Sequence, residues 1–110
     1  MEKLKTAAVI VAAGKGKRFK AGIPKQYVKA EGREILAYAL ENFEKSVFID
    51  GIVIVVSRGY RKFVEEQIVE KYGFSKVIGV VIGGKERFHS AANAVEFLRA
   101  FGPENVIIHD

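Results

Sequence analysis

The feature that most constrains this chain is an alternation: four apolar runs of strand length, separated by three helical patterns. The runs are "TAAVIVAA" at 6–13, "GIVIVVS" at 51–57, "KVIGVVIGG" at 76–84 and "NVIIHD" at 105–110. Continuous apolar runs this short suit strands buried on both faces, as in a parallel sheet. Between them, "REILAYALENFEKS" sets Ile35, Leu36, Tyr38, Ala39, Leu40 and Phe43 on one broad helical face. "YRKFVEEQIVEKYGF" does the same with Phe63, Val64, Ile68, Val69 and Tyr72, and "RFHSAANAVEFLRAFG" with Ala91, Ala94, Val95, Leu98 and Phe101. Gly73 and Gly102 stand where helix C-terminal caps belong, and Pro103 follows as a stop.

A β-α-β-α-β-α-β alternation predicts an α/β fold: a Rossmann-like parallel sheet with right-handed crossovers and helices on both faces. Over the four runs, the expected strand order is 3-2-1-4. Ligands of such sheets sit beyond the strand C-termini where the order reverses. That places the loop after the first strand opposite the end of the fourth. No linker, repeat or low-complexity segment interrupts the pattern, so residues 1–110 read as one domain. The fourth strand closes the pattern with an open apolar edge, which invites association or a further stretch of polypeptide.

Charge and cysteine content narrow the partners. There are 18 Lys and Arg against 13 Asp and Glu, a net charge of +5, which favours an anionic partner. A solvated, mixed-charge surface accounts for the excess equally well. Nucleic acid is not expected, because the aromatics lie in apolar patterns and no nucleic-acid-binding motif is present. The chain has no cysteine, so disulfides and thiolate sites within it are excluded. No apolar run approaches the roughly 20 residues that span a bilayer. The basic N-terminus ahead of an apolar run resembles a signal peptide, but the run is short and enters a glycine loop, so it reads as a strand. The expectation is a cytoplasmic protein with no membrane partner.

Three stretches carry candidate chemistry. The first is "AAGKGKRFKAGIPKQY", after strand one. The dinucleotide fingerprint requires a glycine at position 19, where this chain has Phe19, and the P-loop Gly-Lys-Ser/Thr is absent. Gly14 and Gly16 can nonetheless bring backbone N–H groups close to an anion. Arg18 and Lys25 add positive charge, and Pro24 stiffens the approach of Lys25. Such a loop suits a polyphosphate, although a solvated turn can have the same composition. The second is "GGKERFHS" at 83–90, a glycine pair and a basic residue leading to a hydroxyl at a helix N-terminus. Ser90 could read a base edge or ribose, or simply cap the helix. The third is "IIHD", whose Asp110 is a candidate Mg²⁺ ligand at a strand end. His109 reads as structural and His89 as exposed.

Taken together, "AAGKGKRF", "IPKQYV", "GGKERFHS" and "VIIHD", in this order and spacing, resemble the 2-C-methyl-D-erythritol 4-phosphate cytidylyltransferases of the non-mevalonate isoprenoid pathway. The resemblance covers the whole chain but about the first half of the family's domain, so residues 1–110 would be its nucleotide-binding N-terminal half. It implies that Ala12, Ala13, Gly14 and Gly16 cradle CTP through the backbone. Arg18 and Lys25 would hold the triphosphate and stabilise the transition state. Gly83, Gly84 and Ser90 would contact cytosine, with Arg87 supporting that loop, and Asp110 would hold Mg²⁺ or another divalent cation. The implied acceptor is a sugar-alcohol phosphate. The implied partner is a second copy of the chain or a C-terminal half.

The chain departs from the family pattern at Lys85, where an acidic residue is common, and at Phe19, where Met is common. On its own it is expected to bind CTP weakly and to turn over negligibly. Alternatives are a ribitol 5-phosphate or other sugar-phosphate cytidylyltransferase and a non-catalytic nucleotide-binding fragment. A dinucleotide-binding oxidoreductase is disfavoured by Phe19.

Overall fold

A computed structural model describes residues 4–13 and 23–109 of the chain. Its centre is a four-stranded parallel sheet built from β1 (Thr6–Val11), β4 (Gly51–Val56), β5 (Val77–Ile82) and β6 (Asn105–His109). The spatial order is β5-β4-β1-β6. Counted over the four apolar runs this is 3-2-1-4, the order expected. β1 and β4 are the central strands, and the burial agrees: every residue of Gly51–Val56 is buried, as are residues 7–11 of β1. β6 is an edge strand with all five residues exposed.

Period-two alternation sorts the strand residues into two cores. Ala8, Ile10, Ile52, Ile54 and Val56 pack with Leu36, Ala37 and Leu40 of α1 (Ile35–Lys45) and with Val64 and Ile68 of the second helix. Ala7, Val9, Val11, Val53 and Val55 pack with Ala94 and Leu98 of α3 (Arg87–Leu98). Helices therefore cover both faces, two on one and one on the other. β5 keeps this sorting only by adding a residue. Its ladder pairs Ile52 with Val77 and then Val53 with Gly79, so Ile78 is an extra residue in a bulge. Val77 and Val80 consequently serve the α1 face, while Ile78 and Val81 serve the α3 face.

The second helix is not uniform. It opens as α2 (Arg61–Val64) and continues as a π-helical segment over Glu65–Glu70. Gly73 (φ 70°) then ends it and Gly102 (φ 57°) ends the turn after α3, both in the left-handed region that a C-terminal cap uses. Of the apolar positions expected on α3, Ala94 and Leu98 are buried but Val95 is exposed.

A small antiparallel hairpin, β2 (Lys29–Ala30) with β3 (Arg33–Glu34), has no counterpart in the strand pattern of the sequence. Its two-residue loop, Glu31-Gly32, has positive φ at both positions (51° and 87°), as a type I′ turn requires.

Two carboxylates outside the strands fix where strands begin. Asp50 accepts the backbone N–H groups of Lys5 (3.1 Å) and Thr6 (2.9 Å), fixing where β1 begins. Glu44 of α1 accepts the Ser75 hydroxyl (2.7 Å) and the N–H groups of Ser75 (3.1 Å) and Lys76 (2.9 Å), fixing where β5 begins. Burial alone would raise the Glu44 pKa. The Ser75 hydroxyl and the two N–H donors outweigh it and hold the carboxyl below its ordinary range.

Candidate functional site: two loops at the C-terminal edge of the sheet

The ends of β1 and β5 both lean on the end of β4. Ala12 N–H donates to the Val55 carbonyl (2.7 Å), and Gly83 N–H donates to the Val56 carbonyl (2.8 Å). The two loops that carry candidate chemistry therefore leave the sheet side by side.

Gly83 is where they meet. A Cβ there would lie 2.5 Å from Ser90 Oγ, 2.7 Å from Ala13 Cβ and 3.0 Å from Val55 Cγ1. Only glycine allows the loop, the helix and the end of β1 to close this far. Gly84 is similarly tight, with a would-be Cβ 2.4 Å from His89 Cβ. The glycine pair is thus required by packing, with its backbone left where a ligand could approach it.

Ser90 lies inside this junction with no exposed surface, and its Oγ accepts the Gly84 N–H (3.2 Å). It is not the helix cap. The cap of α3 is Glu86, whose side chain accepts the His89 backbone N–H while Glu86 N–H donates to His89 Nδ1 (3.2 Å). This is a capping box with an imidazole in place of the usual carboxylate or amide. His89 is exposed, as expected, and the exposed Phe88 ring lies against it (centroids 4.1 Å apart). One turn further on, the Asn93 amide donates to the Ile82 carbonyl (3.0 Å), tying α3 to the last residue of β5. Glu86, His89 and Asn93 are thus positioning residues for the 83–86 loop. Neither the Glu86–His89 pair nor Asn93 matches a standard capping signal in the sequence.

Of the expected site residues, the structure brings Ala13, Gly83, Gly84 and Ser90 into one junction, with buried Ala12 just before it. Arg87 is exposed on the first turn of α3. Lys25 is exposed on a 3₁₀ turn, Lys25–Tyr27, entered from Pro24 with an extended backbone (φ −56°, ψ 140°). That turn is closed by Tyr27 N–H to the Pro24 carbonyl (3.0 Å) and Val28 N–H to the Lys25 carbonyl (3.1 Å). Gly14, Gly16, Arg18 and Asp110 lie outside the described residues. His109 is placed edge-on to Phe43 (5.5 Å), a packing contact with α1. Among the described residues no cluster of three or more His, Asp or Glu side chains could form a metal cage, and no helix is long and apolar enough to cross a membrane.

Comparison with known proteins adds a common theme. The family description 2-C-methyl-D-erythritol 4-phosphate cytidylyltransferase (IspD) matches residues 6–110. An enzyme of that name from Clostridium kluyveri is 46% identical over 103 residues, covering 94% of this chain and 44% of its own length. One from Thermotoga neapolitana is 42% identical, with 94% and 45% covered. Among solved structures, the 4-diphosphocytidyl-2C-methyl-D-erythritol synthase of Anaerococcus prevotii superposes with a TM-score of 0.70 at 28% identity, covering 97% of this chain and 43% of that one. The inositol-1-phosphate CTP transferase of T. maritima shares the fold, with a TM-score of 0.63 at 24% identity over 88% of this chain and 40% of its own. The chain spans a little under half the length of the curated relatives it matches.

Proposed function

This chain belongs to the 2-C-methyl-D-erythritol 4-phosphate cytidylyltransferase family, and on that premise we propose that it supplies the CTP site of an enzyme transferring CMP from CTP to 2-C-methyl-D-erythritol 4-phosphate. The observation that carries the reading is the junction of Ala13, Gly83 and Ser90, which joins the two motif loops at one edge of the sheet. Residues 1–110 are its nucleotide-binding half, and the acceptor site is completed by polypeptide beyond this stretch or by a second copy.

In this reading the backbones of Ala12, Ala13, Gly14 and Gly16 lie along the nucleotide. Gly83 and Gly84 offer backbone groups to the cytosine, and Arg87 supports their loop. Ser90 acts from inside, fixing Gly84 through its hydroxyl. The acceptor phosphate is already an anion, so it attacks the α-phosphorus of CTP in line without a strong general base. A P–O bond forms to the acceptor, the α–β bond breaks, and pyrophosphate leaves. Arg18 and Lys25 meet the charge that develops on the phosphates. Such catalysis is mostly positioning and electrostatic stabilisation.

A divalent cation fits this donor set. Mg²⁺ is commonly held by one or two carboxylates plus substrate phosphates. Asp110 would hold it, and it would supply neutralisation of phosphate charge.

The test is pyrophosphate release from CTP by the protein carrying this chain, with 2-C-methyl-D-erythritol 4-phosphate or ribitol 5-phosphate as acceptor. Turnover with the first and at least tenfold less with the second is expected. The opposite preference would overturn the acceptor assignment. Lys25→Ala should lower kcat by roughly a hundredfold or more with little change in CTP affinity, the signature of a transition-state contact. An equal loss of both would make Lys25 a binding residue only.

A further inference from the structure

A cavity of about 530 Å³ lies between the turn at Lys25–Tyr27, the hairpin and the second helix, and the proposed reaction makes no use of it. It is an open cleft at the surface rather than an internal void. It also falls within the usual range of small-molecule sites.

Its floor is aromatic. Tyr27 stacks on Tyr60 (4.5 Å, 23°) and meets Phe63 edge-on (5.5 Å, 72°), and all three line the cavity. Tyr27 is 6% exposed, and its hydroxyl finds no hydrogen-bond partner among the described residues. Burial, with a smaller contribution from Tyr60, raises its pKa, so the phenol keeps its proton and remains a donor. The charged lining is cationic where it is exposed. Lys29 and Lys71 come from β2 and from the end of the second helix, and both are exposed. The one carboxylate, Glu34, is buried and already accepts the Tyr72 hydroxyl (2.8 Å).

We propose that this cavity is a binding site for a small amphiphilic anion: a flat apolar body against Tyr27, Tyr60 and Phe63, with a carboxylate, sulfonate or phosphate head between Lys29 and Lys71. The proposal does not depend on Lys25 being catalytic, although Tyr27 shares its turn.

The experiment titrates the protein with three naphthalenes that differ only in the head group: 1-naphthoate, 1-naphthylmethanol and 1-naphthylmethylamine. Binding is followed by NMR on the aromatic resonances of Tyr27, Tyr60 and Phe63. Naphthoate should bind at a single site and at least tenfold more tightly than the amine. Gln67→Trp, at an exposed lining position, should plug the cavity and weaken naphthoate binding at least tenfold. Lys29→Glu with Lys71→Glu should abolish the preference for the anion. These three side chains are on the surface, so the variants should keep the wild-type fold, which the unaffected part of the spectrum checks. Naphthoate binding that survives both sets of changes would place the probe elsewhere, for example on the exposed Val47 and Phe48, and would overturn the proposal. So would tighter binding of the amine.

Discussion

The two faces of the sheet are packed by opposite means. The α1 face is filled with Leu36, Leu40, Val64 and Ile68 from two helices and Tyr27 from the 3₁₀ turn, and still leaves a cavity at its margin. The α3 face is packed by leaving side chains out. A Cβ on Gly79 would lie 2.4 Å from the Phe97 ring, and one on Gly83 would strike Ser90, Ala13 and Val55. One helix thereby lies close on the strands, with little freedom to shift. The difference teaches where this molecule needs precision. The loop assigned to the nucleotide grows out of the close-packed face, and the slack falls on the other.

The largest effects test whether both faces carry load. Leu40 and Leu98 are both buried to within 1% and face opposite helical layers. Replacing either with alanine should cost about 3 kcal/mol in urea unfolding. A cost for Leu98→Ala below half that of Leu40→Ala would break the claim that the single helix is as well packed as the pair.

Glycine substitutions come next. Gly79→Ala and Gly83→Ala should each cost about 2 kcal/mol, because rigid neighbours must move. Gly51→Ala on the same face should stay within about 0.5 kcal/mol, since its nearest contact is the flexible tip of Leu4 at 2.9 Å. Equal costs at the three positions would mean that close approach is not what sets the α3 face.

The smallest effect concerns the fastening of the looser face. Glu44 is held below its ordinary pKa, so its contribution is present above the unfolded-state value and is lost as pH falls through the folded-state one. Glu44→Gln should therefore destabilise by about 1 kcal/mol at neutral pH, with the gap to wild type closing in acid. A gap that stays constant with pH would assign the effect to geometry rather than charge.

Most of the fold was legible in the sequence because burial on both faces leaves the central strands β1 and β4 almost without polar residues, whereas β6 reads as the same kind of apolar run yet is exposed along its whole length. The strand order followed from connection rules, and the caps at Gly73 and Gly102 from the backbone freedom of glycine. What could not be read were features set by neighbours far along the chain. The Glu31-Gly32 hairpin is too short to show periodicity. The π-helical stretch at Glu65–Glu70 keeps a helical composition. At the site, the Gly83-Gly84 pair reads in the sequence as a possible ligand contact, but its first duty, making room for Ser90, Ala13 and His89, depends on α3 folding back over it. Ser90 reads in the sequence as a ligand contact or a helix cap; tertiary packing buries it, and its hydroxyl accepts the Gly84 N–H.

The bulge in β5 has a consequence for how this sequence can vary. In most strands here, losing one residue would exchange the two cores for everything downstream. At Ile78 it would not: Val77 would be followed directly by Gly79, and each remaining side chain would keep its present face. Ile78 is thus a site of built-in length tolerance within a buried strand. A chain lacking it should still fold, whereas one lacking Val80 should not.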